Sequence, residues 1–235
     1  MVSRGIGPDE AEAYLNPSLK AHLPDPAHLL DMDKAVDRIV AAISAPEKIA
    51  VFGDYDVDGA TSSAILKRYF DAIGIDLTVY IPDRLNEGYG PNSQALRHLQ
   101  DKGIALVITV DCGITSFDVL DNAADSGLDV IVVDHHKAEP RLPKASAVVN
   151  PNRLDNTSGY GQMAAVGVTF LVLVALNKRL REAGIFADRQ TPALMALLDV
   201  GARGTVCDVV PLTGAKRVFA PPGLTAMGQR RTGGL

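Results

Sequence analysis

The sequence contains no tryptophan, and aromatic residues make up only 5% of the chain. A broad stacking surface for nucleobases therefore has few side chains to draw on. Basic residues are also short. Against 28 Asp and Glu there are 23 Lys and Arg, a formal net charge of −5. That balance excludes a protein coated in positive surface for duplex DNA. The two cysteines, Cys112 and Cys207, form no CxxC pair and no disulfide framework. Each reads as a small buried hydrophobe, and the reducing cytoplasm is the compartment that fits. Met1 to Pro26 has no apolar signal core. The longest apolar run, Val166 to Leu176, covers about 11 residues, short of the roughly 20 that a membrane span requires.

What is present is an ordinary globular balance, 47% hydrophobic and 22% charged over 235 residues. A chain of this size buries a sizeable core. Charge is uneven along it. From Gly201 onward Arg203, Lys216, Arg217, Arg230 and Arg231 stand against Asp208 alone, a local basic stretch on an acidic whole.

Residues 1–31 are polar and weakly periodic and read as a leader, an incomplete N-terminal region. Residues 32–150 alternate between two periodicities. Helical spacing is expected over Met32–Ile43, Ala60–Ile73, Asn92–Lys102 and Phe117–Ser126. Short apolar, β-branched strands are expected over Lys48–Gly53, Leu77–Ile81, Ile104–Val110, Leu128–Val133 and Ala147–Val149. Strands alternating with helices of this length predict a doubly wound, mainly parallel α/β sheet covered on both faces. After Asn150-Pro151-Asn152 a polar loop leads into a helical remainder, 151–235, with helices expected over Met163–Ala183 and Thr191 to about Ala202.

Three of the predicted strands run into carboxylates. The first leads to Asp54, Asp56 and Asp58, the second to Asp111, and the third to Asp134-His135-His136. In open parallel sheets the ligand crevice lies beyond the carboxyl ends of the strands, so these groups should meet on one rim. Carboxylates crowded together raise one another's pKa, and a divalent cation removes that cost. Oxygen ligands with one or two imidazoles suit manganese, magnesium or zinc. An EF-hand, which opens with a similar Asp spacing, requires Glu at residue 65, where this chain has Ile65. Gly59 is expected to open a helix whose free N–H groups could accept an anion.

Asp134-His135-His136 is the signature of the DHH phosphoesterases, which this sequence resembles. Val51 through Gly59 is similar to the first motif of the RecJ branch of that family, whose members are 5′→3′ exonucleases specific for single-stranded DNA. Thr109-Val110-Asp111-Cys112-Gly113 resembles the second motif, and Asp199 through Leu212 the fourth. Glu87-Gly88-Tyr89-Gly90 resembles the stretch after the second strand. The resemblance implies a site for two divalent ions, Mn2+ or Mg2+. Asp56, Asp58, Asp111, His135 and Asp208 would be ligands, with Asp111 bridging and Asp54 as ligand or support. His136 would face the scissile phosphate, and Asp134 would orient a histidine. Implied with it are a single-stranded DNA substrate, 5′-mononucleotide products, a role in DNA repair and recombination, and a cytoplasmic protein with no membrane partner. Family members continue into a DHHA1 domain and an oligonucleotide-binding fold, and this chain is expected to lack both. Phosphodiester hydrolysis of short oligonucleotides or cyclic dinucleotides, or an inactive fragment, are the alternatives.

Overall fold

The computed structural model describes residue 7, residues 23–187 and residues 190–208. Most of the expected leader lies outside these residues, as do Val209 to Leu212 of the fourth motif and the basic side chains at 216, 217, 230 and 231.

Five strands are described: β1 Lys48–Gly53, β2 Leu77–Tyr80, β3 Ile104–Val110, β4 Asp129–Val133 and β5 Ala147–Val149. They form one sheet in the order β2-β1-β3-β4-β5, with every neighbouring pair parallel. The helices are α1 Met32–Ser44, α2 Val57–Ala72, α3 Ser93–Asp101, α4 Phe117–Asp125, α5 Ala165–Glu182 and α6 Leu198–Cys207. The expected doubly wound fold is the one observed.

Successive strand residues point to opposite faces of a sheet, and both faces here are apolar. Ile49 and Val51, with Ile131 and Val133, enter the core built with α1, α2 and α5. Ala50 and Phe52, with Val130 and Val132, enter a second core under α3 and α4. Burial on both sides explains why the strands read as continuous apolar runs. Each fully buried Val, Leu, Ile or Phe side chain contributes about 1.5–3 kcal/mol.

Most element ends fall within two residues of the expectation; two boundaries differ by three residues or more, and both bear on the site. Helix α2 starts at Val57, three residues before Ala60. The Asp56 carboxylate accepts hydrogen bonds from the N–H groups of Asp58 (2.9 Å) and Gly59 (3.0 Å) and starts the helix there. Those N–H groups are thus taken by Asp56 rather than offered to an anion. The last helix is also shifted. Pro192 disfavours helical backbone at Thr191, and residues 191–193 are not helical. A 3-10 turn over Leu194–Leu197 instead leads into α6. Gly204 lets α6 approach Thr61 of α2 and Val166 of α5, which a side chain at that position would block. Asp208 is delivered just past the end of α6, and Asp199 in its first turn is buried against Arg68 of α2 at 3.1 Å. Cys112 is buried as expected, whereas Cys207 is exposed on the last turn of α6.

Candidate metal centre

The strand order switches sides between β1 and β3, with β2 to one side of β1 and β3 to the other, the place where open α/β sheets leave a crevice. Beyond the carboxyl ends of β1, β3 and β4 the structure gathers Asp54, Asp56, Asp58, Asp111, His135, His136 and Asp208. Their potential ligand atoms fall into three groups, each spanning no more than 4.8 Å: Asp54, Asp56 and Asp111; Asp58, His135 and Asp208; and Asp111, His135 and His136. Asp111 belongs to two of these groups and His135 to two. A carboxylate shared between a carboxylate group and an imidazole group suits two neighbouring cations.

Asp111 is held under strain. Its φ of 63° lies in the left-handed region, uncommon outside glycine. Its N–H continues the ladder to the Val133 carbonyl at 3.0 Å, so the strained residue sits at the last rung of β3. The side chain is buried, and among the described residues Oδ2 has no hydrogen-bond partner. Oδ1 lies 3.2 Å from His135 Nε2.

His135 Nδ1 is 2.9 Å from the Met163 carbonyl. A carbonyl oxygen only accepts, so Nδ1 carries the proton and the Nε2 lone pair of the neutral ring faces the Asp111 carboxylate. Two acceptors at that distance repel unless a proton or a cation stands with them. Ligand atoms at right angles about an ion with bonds of about 2.1 Å are separated by about 3 Å. The spacing and the partnerless Asp111 oxygen both fit a divalent cation.

Without a cation, protons fill the role. Burial, together with the charges of Asp58 and Asp56, pushes the Asp111 carboxyl up to about 8 despite its hydrogen bond to His135. Burial raises Asp58 to about 6 against the opposing backbone N–H groups and His135. Burial lowers His135, but the Asp111 hydrogen bond and the charges of Asp58, Asp111 and Asp208 outweigh it and raise the ring to about 9. Ion uptake must displace these protons. Affinity for Mn2+ is therefore expected to climb as pH rises from 6 to 9, with proton release visible as buffer-dependent heat in titration calorimetry. A pH-independent affinity would contradict this reading of the cluster.

Asp58 has a second task. Its Oδ2 and Oδ1 accept hydrogen bonds from the N–H groups of Ala165 (2.6 Å) and Val166 (2.8 Å), so it caps α5 from more than a hundred residues away. Asp54 Oδ1 accepts from Tyr55 N–H at 2.8 Å, and burial raises its pKa. Asp134 is saturated. Oδ1 accepts from the N–H groups of His135 (2.7 Å) and His136 (3.1 Å) and from His136 Nδ1 (2.8 Å), while Oδ2 accepts from Ile114 N–H at 3.0 Å. Burial acts to raise this carboxyl, but the bonds to His136 and Ile114 hold it below the ordinary range. Asp134 orients the loop and the His136 ring, and the hydrogen bond raises the His136 pKa in return.

Two further groups had little or no signal in the sequence. Tyr89 donates its hydroxyl to the Asp111 carbonyl at 3.1 Å, and its ring meets His136 edge-on at 6.0 Å and Tyr55 at 6.5 Å. Its only signal was the Glu-Gly-Tyr-Gly stretch. The Met163 carbonyl, which fixes the His135 tautomer, has no sequence signal at all.

Fold and site together define an open parallel α/β domain with a carboxylate–imidazole cation site on its carboxyl rim. Residues 48–201 match the model of the DHH family, N-terminal domain, and the chain belongs to that family. The single-stranded-DNA-specific exonuclease RecJ of Bacillus subtilis is 38% identical over 235 residues, 100% of this chain and 28% of the relative. A crystal structure of exonuclease RecJ bound to manganese matches with a TM-score of 0.72 at 36% identity, covering 84% of this chain and 48% of that one. RecJ of Thermus thermophilus in complex with Mn2+ matches with a TM-score of 0.71 at 33% identity, covering 91% and 29%. The RecJ relatives bind Mn2+ or Mg2+, and the acidic and histidine residues here are placed to hold such ions. The chain spans no more than 39% of the length of these curated RecJ relatives. Among the described residues no helix is long and apolar enough to cross a membrane.

Proposed function

We propose that this chain is the metal-dependent catalytic core of a 5′→3′ exonuclease that hydrolyses phosphodiester bonds of single-stranded DNA in the cytoplasm, in DNA repair and recombination. One observation carries the reading: Asp111 shares its carboxylate between two ligand groups on the carboxyl rim. Asp56, Asp58, Asp111, His135 and Asp208 hold two divalent ions, Mn2+ or Mg2+, and Asp54 supports the first group. Such ions supply Lewis acidity to the attacking water and the leaving oxygen. His136 stands against the scissile phosphate and stabilises the charge that develops there. Asp134 fixes its ring through Nδ1 and leaves Nε2 as the titrating nitrogen. Tyr55 and Tyr89 offer ring surface beside the site for a single unstacked base, a contact that tolerates any sequence.

The test is digestion of 5′-labelled single-stranded DNA in Mn2+ by this chain. The expected products are 5′-mononucleotides, with a matching duplex left intact. The grouping of His136 with Asp111 and His135 would also allow a ligand role, so His136→Ala is the informative variant. A loss of about 10²–10³-fold in rate with unchanged Mn2+ affinity is expected. A matching loss of affinity would make His136 a ligand instead. Cleavage confined to dinucleotides would replace the exonuclease reading with that of a small-oligonucleotide phosphodiesterase. Mn2+ binding without any cleavage would mean that activity requires parts of the protein beyond this chain.

A further inference from the structure

We propose that Asn150 and Asn152 are positioning residues for the two histidines, holding His136 and His135 through their backbone carbonyls. The proposal rests on the reading of His135 as a cation ligand.

After Val133 the chain leaves the sheet, and residues 135 and 136 have no ladder partners. Side chains satisfy all four of their backbone polar groups. Both N–H groups donate to Asp134 Oδ1. On the carbonyl side, Asn152 Nδ2 donates to His135 O at 2.5 Å and Asn150 Nδ2 to His136 O at 3.0 Å. Two successive peptide planes are thereby pinned from both sides, which fixes the direction in which each imidazole leaves the chain. The two amides are themselves linked, since Asn152 N–H donates to Asn150 Oδ1 at 2.6 Å.

The segment that carries the asparagines is anchored away from the site. Arg153, only 8% exposed, donates to Asp31 Oδ2 at 2.7 Å and to the Val148 carbonyl at 2.8 Å, and pairs with Asp155 through two further bonds. The same loop then returns to His135. At Gly161 an added Cβ would stand 2.5 Å from Asn152 Oδ1, so a side chain there would push on the Asn152 amide. Two residues later Met163 supplies the carbonyl that holds the His135 ring. Residues 150–163 therefore grip His135 at its backbone and at its imidazole, and the direct path from one grip to the other is Asn152. Partners of this kind, one step from the ligands, typically cost 10–100-fold in metal affinity when removed.

The experiment compares wild type with Asn152→Ala, Asn150→Ala and the near-isosteric Asn152→Leu, which removes the donor without opening a cavity. Mn2+ affinity is measured by calorimetry, and amide exchange of residues 134–138 is followed in the metal-free chain. Expected are a 10–100-fold loss of Mn2+ affinity and at least tenfold faster exchange in that loop. Leu99→Ala, in the core on the opposite face, lowers Tm and leaves both readouts unmoved. Mn2+ affinity within twofold of wild type in Asn152→Leu and Asn152→Ala overturns the proposal, as does unchanged loop exchange. A wild-type chain that takes up no Mn2+ sinks the cation reading itself. Loop exchange then still decides whether the two amides hold the histidines.

Discussion

Asp111→Asn is expected to stabilise the metal-free chain and to abolish its catalysis. Asparagine tolerates the left-handed backbone that Asp111 adopts, so the strained turn at the end of β3 survives. What disappears is a buried negative charge beside Asp58 and Asp56, whose desolvation and repulsion raise the Asp111 pKa to about 8. A carboxyl raised in the folded state contributes stability that is complete below its unfolded pKa and is lost as pH climbs through the folded value. His135, raised to about 9, follows the same sign, so the metal-free cluster weakens the fold progressively between about pH 4 and 9. The variant should therefore gain about 1–3 kcal/mol over wild type at pH 8 and nothing near pH 4. Urea unfolding at the two pH values, in the presence of a chelator, measures this. Activity should fall at least 10³-fold at the same time, because the amide leaves the two ligand groups without a shared anion. A variant less stable than wild type at pH 8, or one retaining activity, would remove Asp111 from the centre of the site. Active sites commonly carry such a conflict between stability and function.

Gly59→Ala is expected to be the most damaging single-methyl change in the first motif. A Cβ there would lie 2.5 Å from the Asp54 carbonyl oxygen, 2.6 Å from its nitrogen and 2.7 Å from its Cα. All three are backbone atoms, so no flexible side chain can yield. Relief requires α2 to move off the end of β1, and Asp54, Asp56 and Asp58 move with it. The expected cost is about 3 kcal/mol of stability, together with loss of Mn2+ uptake. Gly201→Ala is the control. That glycine lies within α6 with nothing within 4 Å of an added Cβ, and the change should be neutral or gain about 0.5–1 kcal/mol. Equal Tm values for the two variants would show that the Gly59 contact is not limiting.

The strands were legible because burial on both faces leaves Val, Ile and Leu in unbroken runs. β1, β3 and β5 begin and end at the residues their patterns suggest. The helix starts were less legible. The start of α2 depends on Asp56 acting as cap rather than on the apolar periodicity that follows. The start of α5 depends on Asp58, which is remote in sequence, and no local pattern can encode such a cap. The end of the chain's described part was the least legible, because Pro192 delays the helix start and Gly204 replaces periodicity with a close helix approach.

The sequence by itself determined the alternation of strand and helix, and with it a parallel sheet whose carboxyl rim gathers Asp54, Asp56, Asp58, Asp111 and Asp134-His135-His136. The period of the apolar residues and the position of each acidic cluster at a strand end are local properties that a linear reading can follow. Only the tertiary structure decided which groups share a cation and which act on their neighbours. It spent both Asp134 oxygens on backbone and ring N–H groups, turned Asp58 toward α5, fixed the His135 tautomer with the Met163 carbonyl, and tied both histidines to Asn150 and Asn152. Each of these rests on hydrogen bonds whose worth depends on burial and distance, and none exists until the chain has packed.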